Sequence, residues 1–460
     1  MTITRKDINS AISFEDYNFT RPHIAEKLEK VYTYDILEKY INAVKNILAP
    51  YIKDLDYTPS AIIGLHPSEE QIAAIFACLE LGISIVIVDY DRPDKFKQYE
   101  YMDPKTDLLC PIDFFIVNSS RQNTNLAKYV FFENRCNFTI CLDKNILDFT
   151  PNNVILAKDK TIAIKCTSSG TTNTPKKVEH THEFLKNISY RNSIFYNNVV
   201  ALGYNLNHGS SIATYFLPAL FSKKTTKFLN IGGFGLNTFE NFPDCKVDHF
   251  MISYTADIIN FAKNKKLDDL TIYTLSSIPQ KEVKGKFKDV ISFFGSNETS
   301  GPTLVNKLSY DNFAINKFRK IDDFFKFDLQ DGNLVVTIPI YNKAHNTNDI
   351  FSVSKDYFVF KGRNDIYRIN GREVDKNILH DIVKLFLIKD FQIIYDIVEN
   401  KIYIAYWNKK INDSKVLRRI NKKLPYYHKI NKLSFINVEE FMSGVKMDQE
   451  LLREYFRKYV

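Results

Sequence analysis

Between residues 61 and 89 the apolar positions change their period twice. Ala61, Ile62, Ile63, Gly64 and Leu65 make a short continuous run, the pattern of a buried strand. Pro67, Ser68, Glu69 and Glu70 bring helix-start chemistry, the two acids suiting the positive end of a helix dipole. Ile72, Ile75, Phe76 and Leu79 then recur at helical spacing, and Gly82 supplies a stop. Ile83 to Val88 is a second apolar run, closed by Asp89. Strand, helix and strand in that order predict a βαβ unit, hence an α/β fold with a parallel sheet.

Past residue 365 the pattern is that of a small α+β domain. Asp375 can cap a helix bearing Ile378, Leu379, Ile382 and Val383. Two strand-forming runs follow, 391–398 and 401–407, separated by a two-residue turn at Glu399-Asn400. Residues 414–424 read as a helix ending before Pro425, and Lys432 to Val438 as a strand. Upstream, Asp331-Gly332-Asn333 is a turn before a strand at Leu334–Ile338. Residues 100–160 offer only alternating apolar and polar pieces.

At 460 residues the chain is long enough for about two or three domains with sizeable cores. Its 45% apolar and 25% charged residues are those of an ordinary globular protein, rich in Tyr and Phe. The net charge is +8, and residues 411–460 carry 11 Lys/Arg against 6 Asp/Glu. Such a surplus can steer a phosphorylated cofactor or a polyanion, and is more often a solvated face, so nucleic acid is not the expected partner. Cysteines 78, 110, 136, 141, 166 and 245 complete no zinc pattern and are expected to be reduced and buried. The first residues lack the apolar core of a signal peptide, and no run approaches the ~20 apolar residues of a membrane span. A soluble, cytoplasmic protein is expected.

Chemistry concentrates in residues 164–182. Thr167, Ser168, Ser169, Gly170, Thr171 and Thr172 follow a short apolar run (Thr161 to Ile164), with Pro175 and Lys176 close behind. Packed this tightly, hydroxyls, backbone N–H groups and one cation can bind phosphate oxygens. The spacing is not that of a Walker A loop. His180 and His182 fit loop or helix-start positions rather than a metal pair.

This stretch resembles the phosphate loop of adenylate-forming enzymes, T-S-G-T-T-G-x-P-K-G-V, with Asn173 and Lys177 in place of two glycines. That superfamily comprises acyl-CoA synthetases, peptide-synthetase adenylation domains and luciferases. Residues 61–89 are similar to its early "L-x-x-G-x-x-x-V-x-x-D" segment. His208-Gly209 resembles its His-Gly motif, in which the histidine borders the acyl pocket. Gly209 stands where domains that activate α-amino acids place an aspartate, which argues against a simple α-amino acid, because a buried ammonium needs a carboxylate partner. Thr271 to Ile278 with Pro279 looks like the strand and turn flanking the adenine, Ser276 and Ser277 replacing glycines.

Phe294-Gly295-Ser296-Asn297-Glu298 is similar to the family's Y-G-x-T-E. The likeness implies an aromatic against the adenine, Asn297 near the α-phosphate, and Glu298 on Mg2+ together with Thr171. Thr347-Asn348-Asp349 resembles T-G-D, making Asp349 the acceptor of ribose hydroxyls. Gly362, Arg363, Asp365 and Gly371 match the G-R-x-D…G-x-R pattern. It implies that Arg363 contacts ribose or phosphate, that Asp365 is the interdomain hinge, and that Gly371 lets the backbone approach the pantetheine of a thiol acceptor. Gly444-Val445-Lys446-Met447-Asp448 resembles the terminal G-K-[IV]-D, making Lys446 the catalytic lysine.

The resemblance spans roughly residues 60–450 and implies a large N-terminal domain of layered, mostly parallel sheets with helices (1–364). A small mobile α+β C-terminal domain (365–460) would follow it. The implied activity is a two-step ligase using ATP and Mg2+. A carboxylic acid becomes an acyl-AMP with release of pyrophosphate, helped by Thr171, Thr172, Lys176, Glu298 and Lys446. The acyl group then passes to the thiol of CoA or of a phosphopantetheine arm on a separate carrier protein. One alternative is transfer to an amine, forming an amide. Another, motivated by the basic C-terminus and the motif substitutions, is a degenerate fold that binds a nucleotide or nucleic acid without catalysis.

Overall fold

The structure, a computed structural model, describes residues 2–8, 12–21, 24–32, 34–65, 69–87, 112–117, 136–142, 148–168, 176–196, 200–202, 212–222, 226–230, 249–251, 267–274, 285–308, 316–363, 366–369, 372–387, 390–396, 401–407, 410–424, 429–443 and 446–459. Contacts divide the chain into two compact units. The first comprises Met1–Ile252, Asp269–Tyr273 and Phe294–Thr303; the second comprises Ser253–Asp268, Thr274–Phe293 and Leu304–Val460.

The first unit opens with β1 (Ile12–Arg21), β2 (Ile24–Tyr32) and helix α1 (Tyr34–Ile52). The expected βαβ unit follows as β3 (Ser60–Ile63), α2 (Glu69–Leu81) and β4 (Ser84–Val86), with β3 and β4 parallel neighbours. Gly82 ends α2 at φ 73°, the left-handed conformation that a residue without Cβ adopts readily. Four strands complete this sheet: β5 (Ile112–Val117), β6 (Cys136–Cys141), β7 (Ile162–Ser168) and β8 (Lys176–Thr181). The order is β6-β5-β3-β4-β7-β8, parallel throughout except for the β7/β8 hairpin. In the other sheet β9 (Val200–Leu202), β10 (Thr226–Asn230) and β11 (His249–Met251) pair in parallel. β1 joins β10 in parallel, and β2 closes the edge as the antiparallel partner of β1.

Helix α2 departs from its sequence reading. Apolar spacing predicts one buried face, yet every residue of the helix except Glu70 is buried. One charge this forces inside is Glu80, held by Arg5 Nη2 at 2.6 Å and by Lys45 Nζ at 2.7 Å. Arg5 also donates through Nη1 to Asn42 Oδ1 at 2.6 Å, so the buried cations and carboxylate share a hydrogen-bonded cluster.

Strands β12 (Leu267–Thr274), β13 (Phe287–Ser296) and β14 (Gly301–Leu308) each contribute residues to both units. Within the second unit β14 pairs with β15 (Lys317–Lys320). The antiparallel series β16 (Lys326–Gln330), β17 (Asn333–Ile338), β18 (Lys343–Ser354) and β19 (Tyr357–Arg363) follows, β19 lying beside β15. Asp331 and Gly332 form the expected turn before β17, at φ 52° and 79°.

Residues beyond 365 alternate as their pattern predicts. After a hairpin of β20 (Ile366–Ile369) and β21 (Arg372–Asp375) comes the helix Lys376–Leu387. Asp375 caps it, its Oδ1 accepting from Asn377 N at 2.7 Å and Ile378 N at 3.1 Å. Strands β22 (Phe391–Asp396) and β23 (Lys401–Tyr406) are antiparallel, and β24 (Lys432–Phe435) joins β23 in parallel. The period of two sends Ile393, Ile402 and Ile404 into one core with Leu379, Val383 and Ile420. Ile394, Tyr403 and Ala405 enter a second core with Leu452 and Phe456. Both cores are built only from residues after 366. The Glu399-Asn400 turn lies outside the described residues, and β24 stops at Phe435, short of the expected Val438. Cys78 and Cys166 are buried free thiols as expected, while Cys141 is half-buried. Among the described residues no helix is long and apolar enough to cross a membrane.

Candidate functional site

The hydroxyl-rich stretch falls between β7 and β8, which pair antiparallel with Ser168 opposite Lys176, Thr167 opposite Lys177 and Cys166 opposite Val178. Ser168 and Lys176 are therefore brought together by backbone register. Ser169, Gly170, Thr171 and Thr172 lie outside the described residues, as does His208. Ala163, Ile164 and Cys166 are buried and root the hairpin in the core. Thr181 ends β8 and caps the helix His182–Asn192, its Oγ1 accepting from Phe184 N at 3.3 Å. His182 starts that helix as expected, but His180 belongs to the strand rather than to a loop.

Both histidines are buried. Burial is the main reason His180 titrates at about 4 rather than 6.5, against the opposing influence of its bond to Asn297 and of the Glu298 charge. His182 is likewise pushed down to about 4 by burial, with Asp159 opposing. Each is neutral at pH 7, so neither ring is a cation for phosphate.

The Phe294–Glu298 segment forms the end of β13 and a tight turn into β14. Ser300 N donates to Asn297 O at 3.1 Å, closing the turn. Thr299 fastens it, its Oγ1 accepting from Ser296 N at 3.0 Å and donating to Gly301 O at 2.9 Å. Gly295 is required by close approach: a Cβ there would lie 2.2 Å from Gly301 O and 3.1 Å from Pro302 Cα. Phe294 is buried, and Glu298 sits half-buried at the tip of the turn.

His180 Nε2 lies 2.6 Å from Asn297 O, joining the β7/β8 hairpin to this turn across 117 residues of sequence. Cys166 of β7 reports the same proximity, its thiol pushed up to about 12 by burial and then by the Glu298 charge. Thus Ser168 and Lys176 of the hairpin and Phe294, Gly295, Asn297 and Glu298 of the turn are gathered within the first unit. Among the described residues no group of three His, Cys, Asp or Glu side chains could hold a metal by itself.

In the second unit β18 and β19 set Asp349 opposite Arg363, with Arg363 Nε 3.6 Å from Asp349 Oδ1. Thr347 Oγ1 donates to Leu334 O at 2.9 Å and accepts from Asp349 N at 3.2 Å, while Asn348 takes φ 57°. Lys376 Nζ donates to Arg363 O. Asp365 and Gly371 lie outside the described residues. Lys446 stands in β26 (Lys446–Met447), paired with Ser443 of β25 (Met442–Ser443). Directly after it Asp448 caps the last helix, Gln449–Tyr459, accepting from Glu450 N at 2.9 Å and Leu451 N at 3.0 Å.

Sequence reasoning missed the N-terminal segment. Ile3 N donates to His182 Nδ1 at 3.3 Å, Lys186 Nζ is 2.8 Å from Asp7 Oδ1, and Tyr190 OH donates to Asp7 Oδ1 at 2.9 Å. Residues 2–8 therefore brace the helix that follows the β7/β8 hairpin. A separation of 179 residues between Ile3 and His182 leaves no local signal to find.

No protein-family model matches the sequence, and no curated protein matches it. Solved structures do, across almost the whole chain. McyG A-PCP complexed with phenylalanyl-adenylate is 13% identical, with a TM-score of 0.63, covering 100% of this chain and 96% of that one. The anthranilate CoA ligase AuaEII in complex with anthranoyl-AMP is 14% identical, with a TM-score of 0.62, covering 94% of this chain and 93% of that one. The amide bond synthetase McbA from Marinactinospora thermotolerans is 12% identical, with a TM-score of 0.61, covering 93% of this chain and 95% of that one. From end to end, the chain shares the fold of these solved structures.

Proposed function

We propose that the chain activates a carboxylic acid with ATP and passes the acyl group to a thiol. A carboxylate oxygen attacks the α-phosphorus, the bond to the bridging oxygen breaks, and pyrophosphate leaves. The thiolate of CoA or of a carrier arm then attacks the acyl carbon and AMP departs. In this reading Ser168, Ser169, Gly170, Thr171, Thr172 and Lys176 cradle the phosphates, and Glu298 with Thr171 holds Mg2+. Phe294, Gly295 and Asn297 border adenine and α-phosphate, Asp349 and Arg363 take the ribose, and His208 borders the acyl pocket. Lys446 offsets the charge that builds during attack. Residues 365–460, turning near Asp365, would withdraw Lys446 and present Gly371 for the second step. The two cores private to that segment support its treatment as a body of its own.

The observation that carries the reading is the hydrogen bond between His180 and Asn297 O. It joins the strand that follows the hydroxyl-rich stretch to a turn tipped by a carboxylate, and a metal–triphosphate needs those two parts together. The fold alone does not select the acid. Structures of the same fold carry a phenylalanyl-adenylate and an anthranoyl-AMP, and another is an amide bond synthetase. Gly209 in place of an acidic anchor favours an acid other than an α-amino acid.

Carboxylate-dependent ATP–pyrophosphate exchange with pooled fatty, aryl and amino acids, each with and without CoA, tests this directly. Exchange with one pool establishes adenylation, and consumption of CoA identifies the acceptor. Amide formation with an added amine would reassign the second step. Silence from every pool, in protein that binds ATP, would favour the binding-protein alternative.

A further inference from the structure

We propose that His180 is a positioning residue of this site: its Nε2–H, bonded to the Asn297 carbonyl, aims Glu298 at the phosphate-loop hairpin. The inference rests on the functional reading above. The argument begins with peptide geometry. Asn297 O and Glu298 N belong to one planar peptide, so holding the carbonyl orients the plane and with it the N–Cα bond from which Glu298 projects. Two donors hold that carbonyl, Ser300 N from within the turn at 3.1 Å and His180 Nε2 from β8 at 2.6 Å. The first is local and moves with the turn. The second refers the turn to the hairpin that ends in Ser168 and Lys176.

The acceptor also sets the tautomer. A carbonyl requires a proton on Nε2, which leaves Nδ1 as a lone pair, and Nδ1 is buried with no hydrogen-bond partner among the described residues. An orphaned nitrogen destabilises the fold. Packing alone would be better served by phenylalanine, since the imidazole already lies against Phe184 with ring centroids 5.1 Å apart. A histidine here is explained by what Nε2 does rather than by what the ring fills.

Three variants separate these roles. In His180→Gln the amide nitrogen reaches the place of Nε2 and can still donate. In His180→Asn it falls near Nδ1 and cannot, and His180→Phe keeps the ring without a donor. Binding of ATP is titrated with and without Mg2+, and the exchange rate is followed against Mg2+ concentration. We expect the Phe and Asn variants to lose the Mg2+ enhancement of ATP binding. They should also need ~10-fold or more Mg2+ for half-maximal exchange and show a lower kcat, the scale typical of residues that orient a metal ligand. The KM for the acid should be unchanged, and the Gln variant should stay close to the natural protein. Wild-type Mg2+ dependence in the Phe and Asn variants overturns the proposal. So does an equal loss in all three that follows their melting temperatures, which would mark a structural role only. Should Phe fail to fold, the Asn and Gln pair still decides. Natural protein that binds Mg-ATP but exchanges no pyrophosphate would sink the activity, while the binding titrations would still judge His180.

Discussion

Gly295→Ala is the sharpest single test of the turn that carries Glu298. The added methyl would stand 2.2 Å from Gly301 O, 2.8 Å from Gly301 C and 3.1 Å from Pro302 Cα. All three are backbone atoms, so no side chain can swing aside. Good non-bonded contact lies near ~3.5 Å, so the start of β14 must recede by roughly 1 Å. Overpacking of this kind costs about 1–3 kcal/mol. The same shift strains the 2.9 Å bond from Thr299 Oγ1 to Gly301 O, a further loss of about 1 kcal/mol. The expected destabilisation is about 2–4 kcal/mol, read as a lower urea midpoint. Function should suffer more, because a ~1 Å misplacement of a positioned group costs on the order of 100-fold in rate. Gly332→Ala is the control. It strains a φ of 79° but its nearest neighbour is Ile350 Cγ2 at 3.8 Å, so it should lose a little stability and leave exchange untouched. A Gly295→Ala protein with an unchanged midpoint and an unchanged exchange rate would refute the reasoning. A lower midpoint with normal exchange per folded molecule would keep the clash but remove Glu298 from the rate.

Glu80→Gln should cost about 3–5 kcal/mol in denaturant unfolding, because Arg5 and Lys45 would be left buried beside a neutral amide. Added salt should change that loss little, since the cluster is screened from solvent. Stability should also depend on pH through His180 and His182, whose folded values near 4 lie below the ordinary 6.5. Their contribution is complete above pH 6.5 and declines as pH falls toward 4, because the unfolded chain takes up protons that the folded chain refuses. The loss is on the order of 3 kcal/mol per histidine, and a melting temperature flat from pH 7 to 4.5 would contradict it. Lys446→Ala should abolish acyl-adenylate formation while leaving ATP binding nearly intact, and a parallel loss of both would remove the catalytic role.

Much of this was legible because the chain punctuates itself. The β3–α2–β4 unit could be read from period changes bounded by Glu69, Glu70 and Gly82. The 391–406 strands could be read because alternate residues feed two different cores. Residues 100–160 were opaque for a physical reason. They contain β5, Ile112-Asp113-Phe114-Phe115-Ile116-Val117, whose apolar run is interrupted by Asp113. That carboxylate is buried nonetheless, because Oδ2 accepts from Ser60 N at 2.8 Å and Oδ1 from Tyr57 OH at 2.7 Å, a bond that also raises the Tyr57 hydroxyl to about 12. Partners so far along the chain turn a polar residue into a core residue without leaving a pattern. Glu80 leaves no pattern for the same reason, and the reading of His180 as a loop or helix-start residue misses the Asn297 carbonyl that folding brings to it.

The departures from the superfamily motifs can be sorted by what each position does. Where the family's T-G-D has glycine this chain has Asn348, and the backbone there stands at φ 57°. Asparagine is among the few residues with a side chain that tolerate the left-handed region, so the exchange keeps the turn that points Asp349 across to Arg363. At 297 asparagine replaces threonine, and what the structure uses from that residue to hold the turn is its carbonyl, which every residue supplies. Gly295 is the contrast, since any Cβ would strike Gly301, and there the chain retains glycine. At 297 and 348, then, the exchanged side chains leave intact the backbone geometry that presents Glu298 and Asp349. A drift of that kind weakens the sequence signal without removing a carboxylate or a cation, so these two exchanges supply no support for a fold that has lost its chemistry.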